Sequence, residues 1–230
     1  MTKLIILKII QFIIINLCGT IVLFLILFVS SGHLNYWQGW LFLTLNILIT
    51  VIGFLSMQKD IKLINERFNP GPGTKWWDLL FMILSLPTYI SILIVAGMDS
   101  GRYHWSPYFP NSIYILGIGL IVLGQTIFHI AKKQNHFFSS VVRIQTERDH
   151  TVCNTGLYKF VRHPGYLGSI ISTIGLPMLL GSLWCGLPSI IYITLFLIRT
   201  YFEDITLIKE LKGYYKYSTT TKFRIIKGIW

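Results

Sequence analysis

The chain has 230 residues, of which 53% are hydrophobic and only 13% charged, with a mean hydropathy of +0.61. A soluble domain usually carries about 25% charged residues, so this composition indicates an integral membrane protein. The formal net charge of +11 would suggest nucleic-acid binding in a soluble protein, but the positions of the charges exclude that class below. The cysteines Cys18, Cys153 and Cys185 show no metal-ligand spacing, so neither a metal site nor a disulfide framework is predicted.

Several apolar segments are long enough to cross a hydrocarbon core of roughly 30 Å, which takes about 20 residues. They cover about residues 9–30, 37–57, 78–97, 112–131, 165–182 and 186–203. No small-residue cleavage site follows the first segment, so we interpret it as a retained span and not as a signal peptide. We predict an all-α polytopic membrane protein with about six transmembrane helices, or alternatively five.

Lys and Arg are distributed very unequally between the two ends of these spans. Of the 20 Lys and Arg residues, all except Arg102 lie near the N-terminus, in the 58–77 or 132–164 segments, or from Arg199 onward. Because cytoplasmic segments are enriched in Lys and Arg, we predict that these regions and both termini face the cytoplasm. The charge is then a sign of membrane orientation, nucleic acid is excluded as a partner, and we expect the inner membrane of a bacterium.

Two connecting segments have their own patterns. Residues 98–111 are rich in aromatic side chains, which are typical of a belt at the lipid headgroups on the outer face. In the 58–77 segment, apolar residues at helical spacing predict a short interfacial helix that ends at Asn69-Pro70-Gly71. That helix either covers a cytoplasmic site or is a plain connector at the membrane surface.

The sequence Arg162-His163-Pro164-Gly165-Tyr166 predicts the start of the fifth span. Proline is favoured in the first helical turn, so the helix should begin at Pro164 with free N–H groups at the cytoplasmic boundary. Such a helix end binds anions, Gly165 allows close approach of a ligand, and Arg162 adds positive charge. The alternative is that these residues only cap a span at the headgroups.

Arg199 and Glu203 are spaced i, i+4 near the cytoplasmic end of the sixth span and therefore share one helical face. Ionisable residues in a span usually face the bundle interior and mark a site. The alternative is a boundary ion pair in which Arg199 extends towards the headgroups. Asp204 points roughly 100° away and is predicted to be a partner or a solvated charge.

The tight link between the last two spans brings this face close to the polar 143–166 segment. Together they predict a cytoplasm-facing pocket for a zwitterionic, nucleotide-like ligand. The sequence offers no metal-ligand set and no Ser or Cys nucleophile with a paired His, so a reaction that needs little acid–base help fits best.

Several motifs in the last hundred residues occur in one known family. The first motif is Gly-x-Tyr, then four residues, then His-Pro-x-Tyr-x-Gly; its residues are Gly156, Tyr158, His163, Pro164, Tyr166 and Gly168. The second motif is Arg-x-x-x-Glu-Asp-x-x-Leu, formed by Arg199, Glu203, Asp204 and Leu207. This chain resembles the isoprenylcysteine carboxyl methyltransferase family of membrane methyltransferases, particularly its short bacterial members. The resemblance covers roughly residues 132–230 and, more loosely, 66–77. It divides the chain into an N-terminal membrane region, 1–131, and a cofactor-binding region, 132–230, in one catalytic unit.

The resemblance implies an S-adenosyl-L-methionine-dependent carboxyl O-methyltransferase. Glu203 and Arg199 would be the catalytic pair, and Arg199 would bind the substrate carboxylate. The residues implied to bind the cofactor are Arg143, His150, Thr151, Val152, Cys153, Tyr158, His163, Pro164, Gly165, Tyr166 and Glu203. Arg143 stands where eukaryotic relatives have Gln, Asp204 replaces a second Glu, and Lys227 stands where many relatives have Pro.

The implied reaction is an in-line attack of a carboxylate oxygen on a sulfonium methyl, with a lipophilic or lipidated substrate that enters from the bilayer. The same His-Pro-x-Tyr hairpin is similar to that of phospholipid N-methyltransferases, although an amine acceptor would not favour Arg199. It also resembles NADPH-dependent sterol reductases, which usually carry Asn where this chain has Gly165. A non-catalytic membrane scaffold is the remaining alternative.

Overall fold

The computed structural model describes residues 2–57 and 72–230, and helices make up most of both ranges. The α-helices are α1 (Thr2–Ser31), α2 (Trp37–Met57), α3 (Trp76–Ala96), α4 (Asn111–Gln134), α5 (Pro164–Leu180), α6 (Gly186–Glu210) and α7 (Tyr214–Thr220). A π-helical turn, Gly97–Tyr103, continues α3, and two 3₁₀ turns, Thr146–Arg148 and Gly156–Lys159, interrupt the polar segment between α4 and α5. The interfacial helix expected within 58–77 falls mostly outside the described residues.

The helix positions confirm the predicted all-α membrane architecture. Four helices, α1 to α4, are long and apolar enough to cross a membrane. Helix α5 is apolar but has only 17 residues, and α6 has 25 residues with Arg199, Glu203 and Asp204 in its second half. The number of six spans therefore stays a prediction.

Small residues allow α4 and α5 to pack with their backbones almost in contact. A Cβ atom on Gly117 would lie 2.7 Å from the backbone nitrogen of Leu179, and one on Gly175 would lie 2.7 Å from the carbonyl oxygen of Gly117. Gly124 and Gly168 approach even more closely, since a Cβ atom on either would lie against the carbonyl oxygen of the other. Close approach of helices through small residues is typical of membrane bundles.

At the end of the bundle away from the polar segment, Asp99 joins the π-helical turn to the α5–α6 link. Its carboxylate is fully buried and accepts hydrogen bonds from the Ser106 N–H at 2.7 Å, the Ser106 hydroxyl at 2.6 Å and the Ser182 hydroxyl at 2.5 Å. Three of the aromatic side chains of this loop, Tyr103, Trp105 and Tyr108, are exposed, Tyr108 at 93%. The loop thus combines an exposed aromatic surface with a buried polar anchor that the sequence pattern did not indicate.

At the opposite end, the C-terminal tail is attached to the residues that precede α5. The N–H groups of Arg162 and His163 donate to the carbonyl oxygens of Phe223 and Arg224 at 2.9 and 2.8 Å. The segment 141–145 is irregular backbone, and the Lys75 N–H donates to its Val142 carbonyl oxygen at 3.2 Å. The start of α3, the polar segment, α5, α6 and the tail therefore meet at one end of the bundle.

Candidate functional site

A cavity of about 380 Å³ lies where these segments meet. This volume is within the range of about 300–1,000 Å³ that is usual for small-molecule sites. Phe81, Tyr192 and Phe196 line one part of it, and a mixture of polar and apolar side chains lines the rest. The predicted site residues on its wall are Arg143, His150, Thr151, Val152, Cys153, Tyr158, His163, Gly165, Tyr166, Arg199 and Glu203. Pro164 is fully buried behind this wall and does not face the cavity.

Arg199 is held on three sides. Its Nε and Nη2 atoms lie 2.8 and 3.2 Å from the two carboxylate oxygens of Asp78 on α3, and Nη2 also donates to the Ser140 carbonyl oxygen at 3.0 Å. The guanidinium carbon lies 4.5 Å from the ring centroid of Phe81 and 5.3 Å from that of Tyr166. Among the described residues, its Nη1 atom has no hydrogen-bond partner, so this edge can bind an oxygen of a ligand.

Glu203 does not pair with Arg199, although the two share a helical face. Within the described ranges no ion pair joins them, so the boundary ion pair considered from the sequence is absent there. Instead, Glu203 Oε2 accepts a hydrogen bond from the hydroxyl of Tyr166. The same Tyr166 therefore contacts Arg199 with its ring and Glu203 with its hydroxyl, and the carboxylate of Glu203 faces the cavity beside it.

Asp204 is not a solvated charge but the centre of a buried polar network. Its carboxylate is fully buried and lies 2.7 Å from both Nε and Nη2 of Arg162, 2.8 Å from Nε of Arg224 and 3.0 Å from the hydroxyl of Tyr214. His163 Nε2 lies 3.4 Å from the same carboxylate. Arg162 was expected to supply free positive charge to an anion site. In the structure its guanidinium is instead bound by Asp204 and by the carbonyl oxygens of Thr221 and Lys222.

Helix α5 begins at Pro164, as predicted, but its anion-binding end is weaker than expected. Pro164 has no N–H group, and the N–H groups of Tyr166 and Leu167 both donate to the His163 carbonyl oxygen, at 3.1 and 3.2 Å. Only the Gly165 N–H has no partner among the described residues. A Cβ atom at Gly165 would lie 2.8 Å from the Phe138 ring, so glycine allows this close packing.

The His150 side chain is positioned by an aromatic contact. Its ring stacks on Phe137 with the centroids 4.3 Å apart, and its Nδ1 atom accepts the Gln145 N–H at 3.3 Å. Gln145 is fully buried and also binds the Phe137 carbonyl oxygen at 2.8 Å and Arg148 at 2.6 Å. His150 is therefore a fixed flat surface on the cavity wall.

Several ionisable groups of the wall have shifted protonation equilibria. Burial raises the pKa of the Cys153 thiol, which makes Cys153 a poor nucleophile at neutral pH. Burial also raises the pKa of the Tyr158 phenol, which keeps it neutral. A hydrogen bond from Arg143 lowers the pKa of the exposed Glu147 carboxyl. Arg143, which is only 4% exposed, therefore has an anionic neighbour.

Four buried or half-buried residues that organise the site were not predicted to do so: Asp78, Gln145, Tyr214 and Arg224. Asp78 could have been found, because it is an ionisable residue at the first position of a predicted span, which is the criterion that identified Arg199. Gln145 lies in the polar segment, and Tyr214 and Arg224 belong to motifs that contribute to the resemblance, but their spacing along the chain does not predict their partners. In the described part of the chain no group of His, Cys, Asp and Glu side chains could hold a metal ion.

Comparison with known proteins supports the motif-based resemblance. Residues 116–209 match the model of the isoprenylcysteine carboxyl methyltransferase (ICMT) family. This match starts earlier than the expected 132–230 region and stops before the tail.

Individual relatives give the same result over a limited length. The protein-S-isoprenylcysteine O-methyltransferase of Saccharomyces cerevisiae is 35% identical over 97 residues, which are 42% of this chain and 38% of that protein. That of Schizosaccharomyces pombe is 38% identical over 66 residues, 28% of each chain, and form B of Arabidopsis thaliana is 28% identical over 103 residues, 44% of this chain and 48% of its own. The matched segment thus spans less than half the length of these relatives.

Proposed function

We propose that this chain, whose residues 116–209 match the model of the isoprenylcysteine carboxyl methyltransferase family, is an S-adenosyl-L-methionine-dependent membrane O-methyltransferase of that family. The acceptor is a carboxylate on a lipophilic or lipidated substrate, such as an isoprenylcysteine. The observation that carries the proposal is that Arg199, whose Nη1 atom has no hydrogen-bond partner among the described residues, and Glu203 both line a cavity that also has an apolar part.

The acceptor half of the site consists of Arg199 and the apolar part of the wall. The Nη1 edge of Arg199 is suited to bind one carboxylate oxygen, which leaves the second oxygen free to attack. A carboxylate is already a nucleophile, so no general base is required and the residues contribute mainly orientation. Phe81, Tyr192 and Phe196 offer the apolar surface that a lipid chain needs.

The cofactor half is formed by the polar segment and Glu203. S-adenosyl-L-methionine would supply an electrophilic methyl group on a sulfonium centre. Glu203 offers a carboxylate to the positive charge of such a ligand, and the Gly165 N–H offers a donor to a carboxylate. The stacked His150 ring offers a flat surface to an aromatic base. We propose that the remaining predicted residues of this wall also bind the cofactor; they are Arg143, Thr151, Val152, Cys153, Tyr158, His163 and Tyr166.

The membrane context completes the proposal. The Lys and Arg distribution supports a cytoplasmic position of the cavity, both termini and the tail. The division into a membrane region, 1–131, and a cofactor-binding region, 132–230, is part of the proposal. The relatives named above are eukaryotic and give no support for a bacterial inner membrane. That location therefore stays a prediction from the sequence.

Calorimetry and turnover with detergent-purified protein test this function. We expect S-adenosyl-L-methionine to bind and NADPH not to bind. We expect transfer of a labelled methyl group to N-acetyl-S-farnesylcysteine but not to its methyl ester, in which the carboxylate is blocked. Arg199→Ala should retain cofactor binding and lose turnover by about 10²-fold or more, because the acceptor is no longer oriented.

Lys209→Ala is the matched control, since Lys209 is exposed on the same helix and does not line the cavity. Loss of cofactor binding in Arg199→Ala with turnover intact would show that its assigned role is wrong. Methylation of phosphatidylethanolamine in place of the carboxylate would show an N-methyltransferase, and NADPH binding would show a reductase.

A further inference from the structure

The ion pair between Asp78 and Arg199 raises the question of what Asp78 does at this site. Arg199 lies one helical turn before Glu203, and opposite charges at this spacing attract each other on a helix surface. In the low-dielectric end of a membrane bundle that attraction is stronger than in water. Yet the structure shows Arg199 turned towards α3 and paired with the fully buried Asp78.

We propose that Asp78 is a positioning residue that holds Arg199 away from Glu203, so that the two halves of the site remain separately available. This inference rests on the proposed function. With Asp78 in place, Arg199 presents Nη1 to an acceptor carboxylate, and Glu203, bound only through Oε2 by Tyr166, keeps its negative charge available to a positively charged cofactor.

The surroundings of Asp78 support such a role. Its Oδ2 atom also accepts the Val142 N–H at 2.7 Å, so the carboxylate is anchored to the cavity wall independently of Arg199. Val142 is bound in turn by the Lys75 N–H through its carbonyl oxygen. The start of α3 is thus attached to the polar segment at two points, and the position of Asp78 does not depend on the arginine.

Tyr166 completes the separation. Its ring packs beside the Arg199 guanidinium, with 5.3 Å between the guanidinium carbon and the ring centroid. Its hydroxyl donates a hydrogen bond to Oε2 of Glu203. Without Asp78, the Arg199 guanidinium would lose its partner at Nε and Nη2 and keep only the Ser140 carbonyl oxygen. The nearest carboxylate on its own helical face would then be Glu203. Asp78 therefore determines which carboxylate Arg199 binds.

The test is a double-mutant cycle read by cofactor affinity in the full-length protein. Asp78→Asn should weaken S-adenosyl-L-methionine binding on the order of tenfold, because Arg199 then forms an ion pair with Glu203. Arg199→Ala alone should leave the affinity unchanged. The combination Asp78→Asn with Arg199→Ala should restore the affinity, because no guanidinium remains to pair with Glu203.

The restoration shows that Asp78 acts on cofactor binding through Arg199. If Asp78 stabilised the fold independently of Arg199, the second substitution would not restore binding. The thermal-unfolding cycle below separates a new pair of Arg199 with Glu203 from the mere loss of a buried counter-charge. Lys75→Gln is the matched control: it breaks the exposed pair of Lys75 with Glu210, which also joins α3 to α6 at 2.7 Å, and should leave the affinity unchanged. An unchanged affinity in Asp78→Asn, or a double variant as weak as Asp78→Asn, would overturn the proposal.

A second cycle, read by thermal unfolding in detergent, needs no cofactor. The effects of Arg199→Ala and Glu203→Gln on Tm should be additive in the wild-type background and non-additive in the Asp78→Asn background. Additivity in both backgrounds would overturn the proposal. If the wild-type protein binds no S-adenosyl-L-methionine, the proposed function fails, while this cycle still decides whether Asp78 controls the pairing of Arg199.

Discussion

The two buried carboxylates Asp78 and Asp204 determine how the arginines of the site are arranged. Asp78 binds Arg199, and Asp204 binds both Arg162 and Arg224. The partners are separated by 121 residues in the first pair and by 42 residues in the pair of Arg162 with Asp204. A helical spacing rule considers only neighbours on one helix, so it predicted the shared face of Arg199 and Glu203 but not these partners.

Asp204→Asn should strongly destabilise the protein. The substitution leaves Arg162, which is 7% exposed, without its buried counter-charge, and such a loss costs about 3–5 kcal/mol. We expect a clearly lower Tm in detergent by circular dichroism, together with loss of tail contacts through Arg224.

Asp149→Asn is the control for this prediction. Asp149 is exposed and has a φ of 51°, a conformation that asparagine also adopts readily. The Tm of the Asp149→Asn variant should equal that of the wild type. An equal Tm for Asp204→Asn and Asp149→Asn would contradict the central role of the Asp204 network.

At the scale of single helices, the apolar segments predicted the elements well and their contacts poorly. The predicted start of the fifth span agrees with the observed first residue of α5, Pro164, because the preference of proline for the first turn is a local property. The predicted anion site at the same helix end is largely occupied, because the His163 carbonyl oxygen accepts the first N–H groups. That occupancy depends on the backbone conformation of His163, which its residue type does not determine.

The close contact of α4 with α5 gives a prediction about glycine. Gly124→Ala should destabilise the bundle by about 1–3 kcal/mol, because a Cβ atom would lie 2.6 Å from the backbone nitrogen of Ser172 and even closer to the Gly168 carbonyl oxygen. Thermal unfolding in detergent measures the effect. Gly119→Ala on the same helix is the control, since its Cβ would meet no atom within 4 Å. Equal Tm values for the two variants would show that the helices are not packed this closely.

At the scale of the whole molecule, the polar cavity, the tail and most of the basic residues lie at one end of the bundle. The loop with Asp99 and the exposed Tyr108 lies at the other end. The same separation follows from the Lys and Arg counts, so the charge distribution and the helix arrangement agree. This agreement leads to a specific orientation in the membrane.

Labelling with a membrane-impermeant maleimide tests this orientation. In a background without Cys18, Cys153 and Cys185, Tyr108→Cys should react from the outer side and Lys212→Cys only from the cytoplasmic side. Both positions are exposed, so accessibility within the protein does not limit the reaction. Reaction of Lys212→Cys in sealed, right-side-out vesicles would contradict the orientation.

Composition, hydropathy and motif spacing were sufficient for the class of protein, for the positions of the helices and for a set of site residues of which most lie on the cavity wall. These properties depend on local preferences and on how apolar each segment is, and both can be read along the chain. The pairing of the charges could not be read in this way. Whether Arg199 binds Asp78 or Glu203, and whether Arg162 is free or bound to Asp204, depends on which helices pack together, since a buried charge takes the partner that the packing brings within reach.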